Sequence, residues 1–307
     1  MDLRQLRSLV TLTQSGFSVS RAAERLHLVQ PAVSQHLARL EEELGVQLVT
    51  RRGKRLVGLT AAGEQVLEYA QRVLSGIQNI HQIGREHTEE ASGVLKIGTT
   101  HTQARYVLPP VIKAFSAAYP QVELQIHQGT PQQLVEMAAG EGVDFSICTE
   151  ALAEHPELIA IPCYQWNRCL IAPPGHPLLV PPRLTLEALC RHPLITYVFG
   201  FTGRGNLSGT FGRAGLAPQV VLSAADTDVI KTYVRDGLGY GIIATLAHDA
   251  SEDADLELRD LSHLFPWETT KIAYQKDKYL RRYQQDFIDL FARFVAAEGE
   301  RLGMRAA

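Results

Sequence analysis

The stretch AAERLHLVQPAVSQHLARLEEELG, residues 22–45, carries two helical signals separated by a short turn. Ala22, Ala23 and Leu26 are small or apolar enough for close packing, and Ser20 just upstream is a side-chain cap for that helix. Pro31 suits a first helical position. After it, Val33, Leu37, Leu40 and Leu44 recur at helical spacing until Gly45 stops the run. Upstream, Leu3, Leu6, Leu9, Val10 and Leu12 predict another helix ended by Gly16. Two short helices, a tight turn and a longer helix make a helix-turn-helix, whose last helix is of a size to enter a major groove about 12 Å wide.

That geometry makes Gln30, Ser34, Gln35 and Arg39 candidates for a nucleic-acid face. Gln35 is the residue best suited to an adenine edge, and Ser34 reaches a base or a phosphate. RRGKRLVGLT, residues 51–60, reads as two short strands around a turn. As a wing it sets Arg51, Arg52, Lys54 and Arg55 against phosphates, which gives affinity without much sequence reading. Charge distribution agrees. Residues 1–60 hold nine Lys or Arg against five Asp or Glu, a net of +4, within a chain whose net charge is −3.

Thr60 is a cap for a helix reaching about Glu90, along which Val66, Leu67, Ala70, Val73, Leu74, Ile77 and Ile80 recur every three or four residues. A stripe of that kind on a connecting helix needs a partner, and the economical one is the same helix of a second subunit. The run Glu89–Gly93 reads as a hinge.

From Val94 onward, strand and helix signals alternate: VLKIGT, a helix near Ala104–Ala118, VELQIHQG, PQQLVEMAAG and VDFSIC. Thr130, Pro131 and Gln133 form a strong helix start. This βαβαβ order predicts a mostly parallel sheet with covering helices. LIAIPCYQWNRCLIAP, LITYVF, VVLS and YGIIAT then supply strands of a second sheet. TKIAYQ returns to the first before a last helix near 280–297. The expected fold is α/β: a winged helix-turn-helix over 1–60, a linker helix over 61–90, and a two-lobed body of periplasmic-binding-protein type over 91–307. Lobe I takes about 94–163 plus 269–307, and lobe II about 165–268.

The polar run GTTHTQ follows the strand VLKI and opens a helix. Open α/β sheets bind ligands beyond the carboxyl ends of their strands, and free helix N–H groups favour anions. Thr100, Thr102 and Gln103 therefore form a cradle for a small carboxylate or oxyanion. Thr149 and Glu150 end the strand VDFSIC, while Tyr164 and Trp166 lie by the first crossover. Thr202 and Arg204 stand in GFTGRG, a glycine-rich nest. All are candidates for the same cleft.

An enzyme is the less favoured reading. His101 beside the cradle has no nucleophile elbow to serve, and Cys148, Cys163, Cys169 and Cys190 follow no paired metal spacing. An exported solute-binding protein would have similar lobes, but MDLRQLRSL lacks the apolar core of an export signal. No run reaches the roughly 20 apolar residues of a membrane span, so the expected location is the cytoplasm, with no membrane partner. Neither a cofactor nor a metal is expected.

AAERLHLVQPAVSQHLARLEEELG and LTAAG are typical of the LysR-type transcriptional regulators, which this chain resembles throughout its length. TTHTQARY, PCYQWNR, FGFTGR and DTDVIKTYVRDGLG are similar to the CysB-like subgroup, activators of sulfate assimilation and cysteine biosynthesis. The resemblance implies anion contacts at Thr100, Thr102, Gln103, Thr149 and Thr202. It implies N-acetylserine or O-acetylserine as effector, with sulfate or thiosulfate also able to occupy the cleft. It further implies promoter DNA and RNA polymerase as partners, and a homotetramer built as a dimer of dimers. A regulator responding to another small anion, such as one for sulfonate use, is the alternative. Gln35 and Ala38 depart from the subgroup, which usually carries basic residues there.

Overall fold

Asp2 accepts the backbone N–H groups of Arg4 and Gln5 while Gln5 Oε1 accepts the Asp2 amide N–H, so α1 (Leu3–Gln14) opens with a capping box. The computed structural model describes residues 1–53, 55–88, 92–140, 142–152, 155–198, 204–299 and 302–306. Contacts divide the chain into Met1–Thr88 with Asp277–Tyr279, and Glu89–Lys276 with Leu280–Ala307.

In the first unit, Gly16 and Phe17 both take a left-handed φ near 60°, turning the chain so sharply that α2 (Val19–Arg25) starts early. Its cap is Ser18, which accepts the Arg21 N–H, and not Ser20, which lies inside the helix. The third helix, α3 (Gln30–Leu44), has Pro31 in its first turn and ends at Gly45, whose φ is 68°. Val33, Leu37 and Leu40 join Leu9, Leu12, Ala22 and Ala23 in the core. Leu44 does not. It belongs to the final turn, which overhangs that small core and remains exposed. β1 (Val49–Arg52) pairs antiparallel with β2 (Arg55–Leu59), giving the expected wing.

Thr60 then does two things. Its hydroxyl donates to the Gln47 carbonyl at 2.7 Å and accepts the Gly63 N–H at 3.0 Å, capping α4 (Ala61–Thr88) and tying it to the loop ahead of β1. Gly63 is required by space, because a Cβ there would lie 1.9 Å from the Leu48 carbonyl oxygen. This accounts for the motif LTAAG. The apolar stripe of α4 divides: Val66, Leu67, Ala70 and Leu74 pack on the core of this chain, whereas Tyr69, Val73, Ile80 and Ile83 are exposed.

The second unit holds two sheets. After β3 (Gly93–Thr99) the chain makes a π-turn, Gln103–Val107, continues as α5 (Leu108–Ala118), and returns as β4 (Val122–Gln128). α6 (Pro131–Ala139) starts with the Thr130–Gln133 capping box and leads to β5 (Phe145–Cys148). β6 (Leu158–Trp166) leads across to β7 (Arg168–Ala172). There follow α7 (Leu186–Leu189), β8 (Leu194–Tyr197), α8 (Arg204–Arg213), β9 (Val220–Ala224), α9 (Thr227–Arg235) and β10 (Tyr240–Ala244). The last elements are β11 (Glu257–Asp260), β12 (Glu268–Gln275), α10 (Arg282–Glu298) and β13 (Arg305–Ala306).

Lobe I is the sheet β13-β6-β12-β5-β3-β4, and lobe II is β11-β7-β10-β8-β9. Both are mixed rather than mostly parallel. β4, β3 and β5 run parallel, but β12 enters antiparallel between β5 and β6, as β7 does beside β10 in lobe II. Two crossings in opposite directions impose this, since each strand leaving one sheet must re-enter the next from its neighbour's end. Among the described residues, no helix is long and apolar enough to cross a membrane.

Replacing Gly63 with Ala should force α4 off Leu48 and destabilise the first unit by about 1–3 kcal/mol. Calorimetry of the full chain should show its transition falling while that of the second unit is unchanged.

Candidate ligand cavity and nucleic-acid face

Parallel neighbours β3 and β5 deliver their carboxyl ends side by side, held by the Thr99 hydroxyl donating to the Ile147 carbonyl at 3.0 Å. The residues just beyond those ends meet in one cavity. Thr100, Thr102, Gln103, Thr149, Glu150 and Trp166 line it, together with Ala244 and Leu246 of lobe II. Thr202 lies outside the described residues, as does the side chain of Arg204. Tyr164 is wholly buried one layer behind, where its hydroxyl donates to Gln103 Oε1.

Hydrogen bonding decides which polar atoms face inward. An indole N–H only donates, and that of Trp166 reaches Thr149 Oγ1 at 3.1 Å. The Thr149 hydroxyl thus accepts from behind and keeps its proton for Thr270, 3.3 Å away, or for a solute. Gln103 has its carbonyl taken by Tyr164, leaving its NH₂ as the group to offer. The first helical bond here runs from the Ala104 N–H to the Thr100 carbonyl at 3.1 Å, so the N–H groups of His101, Thr102 and Gln103 precede any intrahelical partner. The site is therefore rich in neutral donors, with Glu150 as its charged acceptor. Its interior is small, about 10 Å³, the space of about one water. A larger solute enters only if the walls separate.

Cysteine chemistry is quiet. Burial pushes the Cys163 thiol up to about 11 and that of Cys169 to about 12, and raises Cys148 and Cys190 as well. All four therefore stay protonated near neutral pH, the less nucleophilic form. His101, Asp226 and Asp228 bring potential metal-ligand atoms within 4.8 Å of one another, the single such trio among the described residues. All three are half-buried, and His101 Nε2 already lies 3.4 Å from Asp228 Oδ2.

Lobe II buries an ion pair beside the cavity. Lys231 Nζ and Asp253 Oδ2 are 2.6 Å apart, with side chains 3% and 2% exposed. Burial alone would raise the Asp253 carboxyl. Hydrogen bonds from Lys231, the Asp249 amide and Arg235 outweigh it and hold the group below its ordinary 3.8.

In the first unit, Gln30, Ser34, Gln35, Ala38 and Arg39 are exposed on α3. His36 points the other way, its Nδ1 2.8 Å from the buried Ser8 hydroxyl, which ties α3 to α1. Arg52 and Arg55 face solvent opposite each other at the wing turn. Arg51 is partly committed to Glu41 at 3.5 Å, and Lys54 is outside the described residues. Glu41 also accepts the Leu48 and Val49 N–H groups at 2.8 and 3.2 Å, so α3 sets where the wing begins. Sequence reasoning missed His36 and Glu41. In a helix of mixed polarity neither stands out, and only the facing residues reveal their work.

Residues 3–64 match the family described as "Bacterial regulatory helix-turn-helix protein, lysR family", and residues 88–296 match "LysR substrate binding domain". The chain is similar to the HTH-type transcriptional regulator CysB of Haemophilus influenzae, 44% identical over 306 residues, which cover 98% of this chain and 94% of that one. It is 41% identical over 292 residues to the HTH-type transcriptional regulator SsuR of Burkholderia cenocepacia, covering 95% of each. A crystal structure of the cofactor-binding domain of the Cbl transcriptional regulator aligns with a TM-score of 0.65 and 41% identity, over 70% of this chain and 96% of that one.

The depressed Asp253 carboxyl has a sign that can be tested. A group held below its ordinary value stabilises the fold above that value and loses its contribution as pH falls through it. The melting temperature of Asp253→Asn should lie furthest below wild type at pH 7, and the gap should close as pH drops below about 4. A gap independent of pH would contradict this assignment.

Proposed function

The chain belongs to the LysR family of transcriptional regulators, and on that premise we propose that it controls genes of sulfur assimilation and cysteine biosynthesis through a small anionic effector. The observation that carries this reading is the donor-rich cavity between the lobes, backed by Tyr164 and Trp166, which take up acceptors and leave donors facing in. A carboxylate seated there would receive hydrogen bonds from Thr100, Thr102, Gln103 and Thr149 without needing a cation.

Glu150 narrows the chemistry. A carboxylate in the same wall opposes a dianion and favours a ligand carrying an N–H beside its own carboxylate. N-acetylserine has an amide N–H and O-acetylserine an ammonium. Sulfate and thiosulfate have neither and rank below them. Identities of 44% to CysB and 41% to SsuR are too close to choose a regulon, so a regulator for another small anion or a sulfonate is the second reading.

The exposed half of the α4 stripe, with Ile80 68% and Tyr69 64% exposed, supports pairing of α4 with a second copy. Paired copies would present two α3 helices to a two-fold site, and two pairs would make the tetramer. Contact with RNA polymerase at activated promoters and a cytoplasmic location belong to the same reading.

Titration of the full chain with N-acetylserine, O-acetylserine, sulfate and thiosulfate, read by calorimetry and by protection of promoter DNA, tests both halves together. An acetylserine should bind and alter the protected region. Thr100→Ala should weaken that binding by about 1–3 kcal/mol. Absence of binding by all four solutes to wild type would overturn the effector assignment.

A further inference from the structure

Two motifs far apart in the chain, TTHTQARY at 99–106 and DTDVIKTYVRDGLG at 226–239, meet across the lobes beside the cavity. The Tyr106 hydroxyl, from lobe I, donates to Asp228 Oδ1 at 2.6 Å and accepts from Lys231 Nζ at 3.1 Å, both on α9 of lobe II. The same ammonium lies 4.8 Å from the centroid of the Tyr106 ring. Around this centre, His101 Nε2 is 3.4 Å and Arg105 Nε 3.8 Å from Asp228 Oδ2. Arg105 Nη2 reaches Glu252 at 2.8 Å. We propose that this cluster, centred on Tyr106, Asp228 and Lys231, is a latch that positions the cavity walls and sets how long a ligand stays bound. The ligand half of this statement rests on the effector reading above, whereas the latch itself does not.

The physical case starts with Lys231. A buried ammonium has three protons to place, and its partner within lobe II is Asp253 at 2.6 Å. Lobe I supplies the phenol oxygen and the ring face. Separating the lobes removes both at once. The phenol is equally constrained, since its one proton is committed to Asp228 while its oxygen accepts from Lys231, a relay that works only at one lobe separation.

Position links the relay to the cavity. Tyr106 belongs to the π-turn Gln103–Val107, whose first residue lines the cavity. α9 packs on β10, whose end and following turn carry Ala244 and Leu246 on the opposite wall. With about 10 Å³ inside, a solute of several heavy atoms can leave only when these walls part. The latch therefore acts on departure more than on arrival. Tyr106, Asp228 and Lys231 are not among the residues that line the cavity and are positioning residues.

Hydrogen exchange of the full chain without ligand tests the latch directly, using Tyr106→Phe, Asp228→Asn and the double variant. Each single change should speed exchange about tenfold both in residues 103–107 of lobe I and in residues 245–247 of lobe II, and the double change should add little more. Arg105→Gln, which removes an exposed cation and leaves the core intact, should give the same pattern more weakly. Faster exchange confined to the altered residue's own lobe, or two effects that simply add, would overturn the latch. With N-acetylserine as probe, the single variants should release ligand about tenfold faster while binding it no more slowly. Slower association with unchanged release would overturn the ligand half. If wild type does not bind N-acetylserine, the effector reading fails, and the exchange experiment still decides the latch.

Discussion

Arg168 and Glu268 lie 2.6 Å apart where the chain twice crosses between lobes, and both are sealed from solvent. Asn206 donates to both Glu268 oxygens, at 3.0 and 2.9 Å, and the Arg168 guanidinium stacks near Trp166 and Phe265. Losing one partner of such a pair strands the other charge in a dry site, a cost of about 3–5 kcal/mol. The crossover thus favours one arrangement strongly. Trp166 carries that arrangement to the cavity, with one face under the guanidinium and its N–H on Thr149. The motif PCYQWNR is in this sense one device: Tyr164 orients Gln103, Trp166 orients Thr149, and Arg168 fastens the crossover beneath them.

Function follows from the direction in which hydrogen bonds run. The residues behind the cavity are spent on acceptors, so Gln103 and Thr149 in front present protons, and on the proposed reading these neutral donors would hold a carboxylate without the desolvation cost of a buried cation. Glu150 then asks for a donor on the same ligand. Burial holds all four cysteine thiols protonated near neutral pH, the less nucleophilic form. At the other end of the chain, Glu41 ties α3 to the start of the wing, so the exposed face of α3 and the wing are held as one piece.

Much of this was legible in the sequence because it is local. Helix spacing, Pro31 and Gly45 mark α3, the Thr130–Gln133 box marks α6, and the polar run after VLKI marks one wall of the cavity. Ser18 escaped notice because the left-handed pair Gly16–Phe17 moves the cap of α2 from the expected Ser20 back to Ser18, and Phe at such a φ is not foreseen from composition. β11 is hidden in the acidic run around DLELRD, where edge pairing with β7 and not apolar alternation makes the strand. The mixed sheets and the Tyr106–Asp228–Lys231 contact were out of reach for one reason: each depends on segments far apart in the chain whose partners carry no local signal. DTDVIKTYVRDGLG stood out as a motif, but only the fold tells what it faces.

The chain has two tryptophans, Trp166 at the cavity and Trp267 at the second crossover, so an amide-correlated spectrum holds just two indole N–H signals. Following both while N-acetylserine is added, with Trp267→Phe to assign them, tests the central claim most directly. The account predicts that the Trp166 signal moves saturably, as the Thr149 hydroxyl that it donates to turns toward the ligand, while that of Trp267 moves far less. Saturable binding that leaves the Trp166 indole unmoved would place the ligand elsewhere and contradict the account.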